Sequence, residues 1–205
     1  MASSASRTAR AYGRVSWRRF AAIVLPSLAV LVVLIFLTTQ AVLAVSFSIS
    51  GTPFIVTAKE LKGQGFEQFG VLDTSVLNTL PGNTNQIVLT ANAIKSATLT
   101  DLCQELVLGG VNLKITAGTG GQPVTATDLV VDADKFSGAR ASFTDIQIGR
   151  DASTLNDVPG IRGMPGDFGE QARTVTITNL RQHAFATTAG TFTLPGFSLG
   201  FGGHC

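Results

Sequence analysis

The sequence predicts an all-β exported domain, a solenoid-like β stack with an antiparallel β-sandwich as the alternative, preceded by one N-terminal transmembrane helix. Three observations carry that prediction. A long uncharged apolar segment follows an arginine-rich start. Beyond it, apolar residues come in short alternating runs broken by Gly, Pro, Asn and Asp, the signature of strands. That second part also holds 21 of the 22 glycines. A hydrophobic content of 45% with 14% charged residues excludes a disordered polar chain and is thinly charged for a soluble cytoplasmic protein.

The N-terminal element comes first. Residues 21–37 (AAIVLPSLAVLVVLIFL) carry no charge, and after Thr38-Thr39-Gln40 the apolar character resumes through Val45, making 25 uncharged residues. About 20 helical residues cross a bilayer core. A soluble helix of this length would show a polar stripe every 3.6 residues, and none is visible. Pro26 lies near the cytoplasmic end, where a kink is tolerated. Arg7, Arg10, Arg14, Arg18 and Arg19 precede the segment without an acid, which orients the N-terminus inward, and Tyr12 and Trp17 suit the interface. The chain thus divides into a basic cytoplasmic tail (1–19), a transmembrane signal-anchor (20–45) and an extracytoplasmic β-rich domain (46–205) at the plasma membrane. Val42-Leu43-Ala44 offers cleavage after Ala44 as the alternative. Both readings send residues 46–205 across the membrane.

In the exported part the strand candidates are residues 54–58, 87–91, 111–116, 129–131, 141–148, 174–178, 184–188 and 191–194. Residues 174–178 (TVTIT) alternate cleanly, with valine and isoleucine on one face. Residues 98–108 are the one short-helix candidate, with Leu99, Leu102 and Leu106 at i, i+3 and i+7. A tripeptide recurs as Thr100-Asp101-Leu102, Thr127-Asp128-Leu129, Thr144-Asp145-Ile146 and Thr178-Asn179-Leu180. Repeats of strand plus polar turn suggest a solenoid. The plainer explanation is a common turn-to-strand tripeptide, because Asp and Asn bond their own backbone in turns. Gly160, Gly163, Gly166 and Gly169 recur every third residue, too briefly for collagen, and predict an exposed loop.

The chemistry-bearing residues are few. The ten basic residues after residue 19 face all thirteen acids, so the exported part is mildly acidic, which excludes a dedicated nucleic-acid binder. Cys103 and Cys205 both lie on the exported side, where an even count suggests a disulfide; free thiols or an intermolecular bridge are the alternatives. Zinc held by Cys103, Cys205, His183 and His204 is not expected, because no paired-ligand spacing exists. Asp128, Asp132 and Asp134 lack the loop glycine and distal Glu of a calcium hand. Lys59, Glu60 and Lys62 read as a solvated surface, and His183 beside Arg181 as a strand histidine. Gly196-Phe197-Ser198-Leu199-Gly200 matches the nucleophile-elbow string, but that motif needs a helix, an acid and a histidine downstream. Five residues follow Gly200, with no acid among them. Phe192, Leu194, Phe197, Leu199 and Phe201 instead form an apolar terminal segment that packs or binds something apolar. A carboxylate at residue 192 or 197 is therefore expected to damage the domain or its apolar contacts.

Further strings are Phe66-Glu67-Gln68-Phe69-Gly70, Leu102-Cys103-Gln104, Ile148-Gly149-Arg150-Asp151-Ala152 and Thr188-Ala189-Gly190-Thr191-Phe192-Thr193-Leu194 before the terminal Cys205. With the N-terminal span, these make the chain resemble an uncharacterised family of single-pass envelope proteins of high-GC Gram-positive bacteria such as streptomycetes. Members often carry an automatic "cholesterol esterase" label, and their genes neighbour one for a small multi-span membrane protein. The resemblance covers nearly the whole chain and implies no catalytic residues.

The expected function is a membrane-anchored envelope protein with a non-enzymatic binding or scaffolding role. Binding of a lipid or apolar ligand, or a transport accessory role, is the alternative, since 11 of 13 phenylalanines lie beyond residue 45. A serine esterase comes last. Expected partners are the membrane lipid bilayer, a multi-span membrane protein, as the resemblance implies, and a lipid ligand, with no nucleic acid, cofactor or metal.

Overall fold

The computed structural model describes Trp17, Phe20, Val24, Pro26 and residues 50–77 and 85–205. The chain divides into two units, Met1–Ala41 and Val42–Cys205. In the first, the four described residues are helical, and Trp17 meets Phe20 edge-on at 5.9 Å. Among the described residues no helix is long and apolar enough to cross a membrane. The remainder of the 20–45 segment lies outside them.

The second unit is all-β. Its strands are β1 (Phe54–Thr74), β2 (Gln86–Thr100), β3 (Leu102–Leu108), β4 (Val111–Ala117), β5 (Val124–Ser137), β6 (Arg140–Thr144), β7 (Gln147–Asp151), β8 (Phe168–Thr188), β9 (Thr191–Thr193) and β10 (Ser198–Phe201). One 3₁₀ turn, Ala152–Thr154, follows β7. All pairings are antiparallel and belong to one sheet. β1 pairs with β2, β2 with β5, β5 with β8, and β8 returns to β1, so the sheet closes on itself. From β1 an arm extends outward as β3, β4 and β10.

The strand class holds, but the expected stacking does not. Solenoid coils pair with the coils next to them, whereas Phe54 here pairs with Ala184 across most of the domain. The closed single sheet is also not a pair of facing sheets. Residues 98–108 are strand on both sides of Asp101 and not a helix, because Leu99 and Leu102 both face the core from an extended chain kinked between them. Tertiary pairing overrides an i, i+3, i+7 coincidence.

The recurring tripeptide marks the kinks. Asp101, Asp128, Asp145 and Asn179 all have positive φ, between 47° and 52°. Asp and Asn enter this left-handed region at lower cost than other side chains. Each one marks a bend. β2 passes into β3 at Asp101, β6 gives way to β7 after Asp145, and at Asn179 β8 leaves β6 for β1 and β5. Asp128 stands level with Lys95 and Gly65, the last with φ +66°. There the side-chain alternation slips: Leu61 and Phe66, five residues apart, both face the interior. A regular strand would put them on opposite faces.

Two apolar clusters result. The larger fills the closed sheet with Leu61, Phe66, Ile94, Leu99, Val131, Ile177 and Leu180. The smaller lies on the opposite face of β1, β2 and β5, where Phe69, Ala91, Ala93 and Val130 are covered by Ala152, Leu155 and Val158. The glycine-rich stretch belongs partly to this cover and is not simply an exposed loop. A Cβ on Gly163 would lie 2.5 Å from the Ala152 Cβ and 2.9 Å from the Phe69 ring. Gly169 is already in β8.

Candidate functional site

The arm carries the last two residues of the C-terminal apolar segment, Leu199 and Phe201. In antiparallel strands directly opposed residues share a face. Phe201, Leu113, Leu106 and Phe54 therefore form one row across β10, β4, β3 and β1, and Leu199, Ile115, Gln104 and Val56 form the next. At the base of this face Leu102, Ala117 and Val56 are core residues. At its outer end Leu108, Val111, Leu199 and Phe201 are 48%, 51%, 51% and 72% exposed. The face is a continuation of the interior beyond the closed sheet.

Apart from the exposed Val107, the reverse face of the arm is polar, and it is tied down. Cys103 is disulfide-bonded to Cys205, with their Cα atoms 5.8 Å apart. Glu105 Oε2 accepts the Cys205 N–H at 2.7 Å, and Glu105 Oε1 meets His204 Nδ1 at 2.7 Å. The Cys205 N–H and then His204 hold the Glu105 carboxyl below its ordinary range. Lys114 Nζ donates to the His204 carbonyl at 2.9 Å. These bonds fix the last residues against β3 and β4, so the apolar face is ordered before anything meets it.

The other predicted residues separate. Phe192 pairs with Ala126 in β9 and is 41% exposed, whereas Leu194 packs against the main core. Phe197 sits in the turn before β10 and is 54% exposed. Both phenylalanines are thus partly open to water, which lowers the cost of a carboxylate at either position. Ser198 opens β10 opposite Thr116 and stands at no strand-to-helix turn. His183 Nδ1 is bound to Asp134 Oδ1 at 2.6 Å and its ring meets Phe185 edge-on. Lys62 and Glu60 form an ion pair at 2.6 Å. Among the described residues no group of three or more His, Cys, Asp or Glu is placed to hold a metal ion.

Sequence reasoning missed a second surface and the acids beneath it. A groove of about 680 Å³ runs between β1, β2 and the glycine-rich stretch, lined by Val71, Leu72, Val88, Met164 and Phe168. On the same face of β1, Glu67 is buried, and its Oε1 accepts the Val158 N–H at 2.7 Å. Burial pushes this carboxyl up to about 7, against the lowering effect of the Val158 and Asp157 N–H groups. Burial, and then the charge of Asp73, push Asp132 to about 7 as well. Asp151 is the opposite case. It accepts the Ser153 hydroxyl and N–H and the Gly166 N–H at 2.7–2.9 Å, which keeps it ionised and pins the glycine-rich stretch. No cue marked Glu67: residues 66–69 fall outside the expected strands, and the Val158 N–H that its carboxyl accepts lies 91 residues away in sequence.

Residues 50–205 match the sequence model of a family of unknown function, DUF6230. The chain belongs to that family. No curated protein and no solved structure matches the chain. The match covers the whole closed sheet of this DUF6230 protein, its arm and both apolar surfaces.

Proposed function

We propose that this DUF6230 protein is a cell-envelope protein held in the plasma membrane by residues 20–45, with its N-terminus cytoplasmic and its β-domain outside. The domain acts by binding or scaffolding and not by catalysis. One observation carries the reading: apolar surface is displayed outward while the interior is filled. The cavity inside the closed sheet measures about 30 Å³, room for about one water and not for an acyl chain. Ser198 lacks the partners that activate a serine, which supports the non-catalytic half, since a hydroxyl attacks only when a neighbouring base accepts its proton. The partners that suit such a surface are the bilayer and a membrane protein within it.

Cysteines placed singly at Ser6 and Ser50 test the topology, with the native pair bonded. An impermeant maleimide applied to intact cells should label Ser50→Cys and spare Ser6→Cys; reversed labelling would refute the orientation. The purified chain should not react with a fluorophosphonate probe. Labelling that disappears in Ser198→Ala would make it an esterase.

The groove favours a second reading, an apolar ligand held on the surface between Val88 and Phe168. Val88→Asp should then weaken binding of a fluorescent fatty acid without altering the melting temperature.

A further inference from the structure

We infer that the apolar face of the arm is a membrane-contacting surface, seated in the outer leaflet of the bilayer that anchors the chain. The inference rests on the membrane reading above and gives the exported domain a specific lipid-facing side.

The first argument is the leash. Eight residues, 46–53, separate the end of the uncharged segment from Phe54, the first residue of β1. Fully extended they reach about 30 Å at most. Phe54 is a member of the row that ends in Phe201. The chain therefore enters the domain on the strand that carries this face, and the face is the part of the sheet held on the shortest tether.

The second argument is the chemistry of the two sides. On the apolar side the outer rows present only aliphatic and phenylalanine side chains, and Gln104 is the polar residue nearest the base. Glu105, Lys114 and His204 all interact on the reverse side. One dry face backed by one that is polar except for Val107 is the pattern of a structure lying in an interface, immersed by about 5–10 Å. A rigid arm loses little conformational freedom on insertion, because the disulfide and the Glu105 bonds have already ordered it.

The test uses the full chain in vesicles of phosphatidylcholine and phosphatidylglycerol. Trp17 is the only tryptophan, so Trp17→Phe gives a silent background for a reporter at Phe201→Trp, with Leu199→Trp as a second position on the same face. Phe168→Trp, in the groove, is the comparison. Vesicles made with lipids brominated in the acyl chains should quench the reporters at 201 and 199, with about a twofold loss of emission, and leave the one at 168 unchanged. Chains that float with the vesicles but show no quenching at 201 and 199 overturn the lipid-facing arm and leave the anchor standing. Quenching at 168 equal to that at 201 also overturns it, as does protection of 201 and 199 by self-association of the chain. Failure of the chain to float with vesicles overturns the anchor itself, and the arm proposal falls with it.

Discussion

Glu67 and Asp132 store a pH dependence in the fold. Both carboxyls are buried and both titrate near 7 in the folded domain, above the ordinary carboxylate range. Between about pH 4 and pH 7 the folded chain holds protons that the unfolded chain has released. Stability therefore falls as pH rises through that window and levels off above it, by on the order of 2 kcal/mol per carboxyl. Thermal melting should show a lower midpoint at pH 8 than at pH 5. Glu67→Gln, which keeps an acceptor for the Val158 N–H, should reduce that difference. An unchanged pH profile in the variant would show that Glu67 is not a source of it. None of this was legible in the sequence, where Glu67 falls outside every expected strand. Its burial depends on Val158, a contact 91 residues away.

The elements were read more fully than their connections. Most segments expected as strands from their alternation lie in one strand, but 141–148 is split at Asp145 between β6 and β7, and β1 and β8 run 21 residues each, far beyond the predicted stretches. The excess was hidden because the alternation slips at kinks such as Gly65, and because charged stretches such as Lys59–Lys62 pair on the sheet like any other. The Thr-Asp-Leu repeat was visible, and its meaning was conformational: a left-handed residue where a strand turns a corner. Asn179→Gly should leave the urea midpoint nearly unchanged. Asn179→Val should lower stability by about 1–2 kcal/mol, since a β-branched side chain resists positive φ. Equal effects of the two substitutions would mean that the side chain of Asn179 matters there for some reason other than its backbone angle.

At the scale of the whole molecule, the pairing of Cys103 with Cys205 was the first of three readings that the even count allowed, while the arm it secures was not legible. The bond closes a span of 102 residues, for which loop closure allows up to about 4–5 kcal/mol. Its local effect is more specific. In Cys103→Ser, hydrogen exchange should accelerate in β10 and the last residues, while the closed cycle β1, β2, β5 and β8 keeps its protection. Uniform loss across all strands would place the bond at the centre of the domain's stability and not at the arm.

The closure of the sheet also governs when the domain can exist. Phe54 and its neighbours in β1 find their β8 partners only at residues 180–184, so the first strand waits for one of the last. Pairings of such long sequence separation form slowly and late. A chain emerging from its N-terminus cannot complete this sheet strand by strand, and β1 stays open on one side until β8 has come out. For a domain that must thread through a membrane before it folds, as proposed here, that delay is protective: the chain remains threadable until nearly all of it has passed.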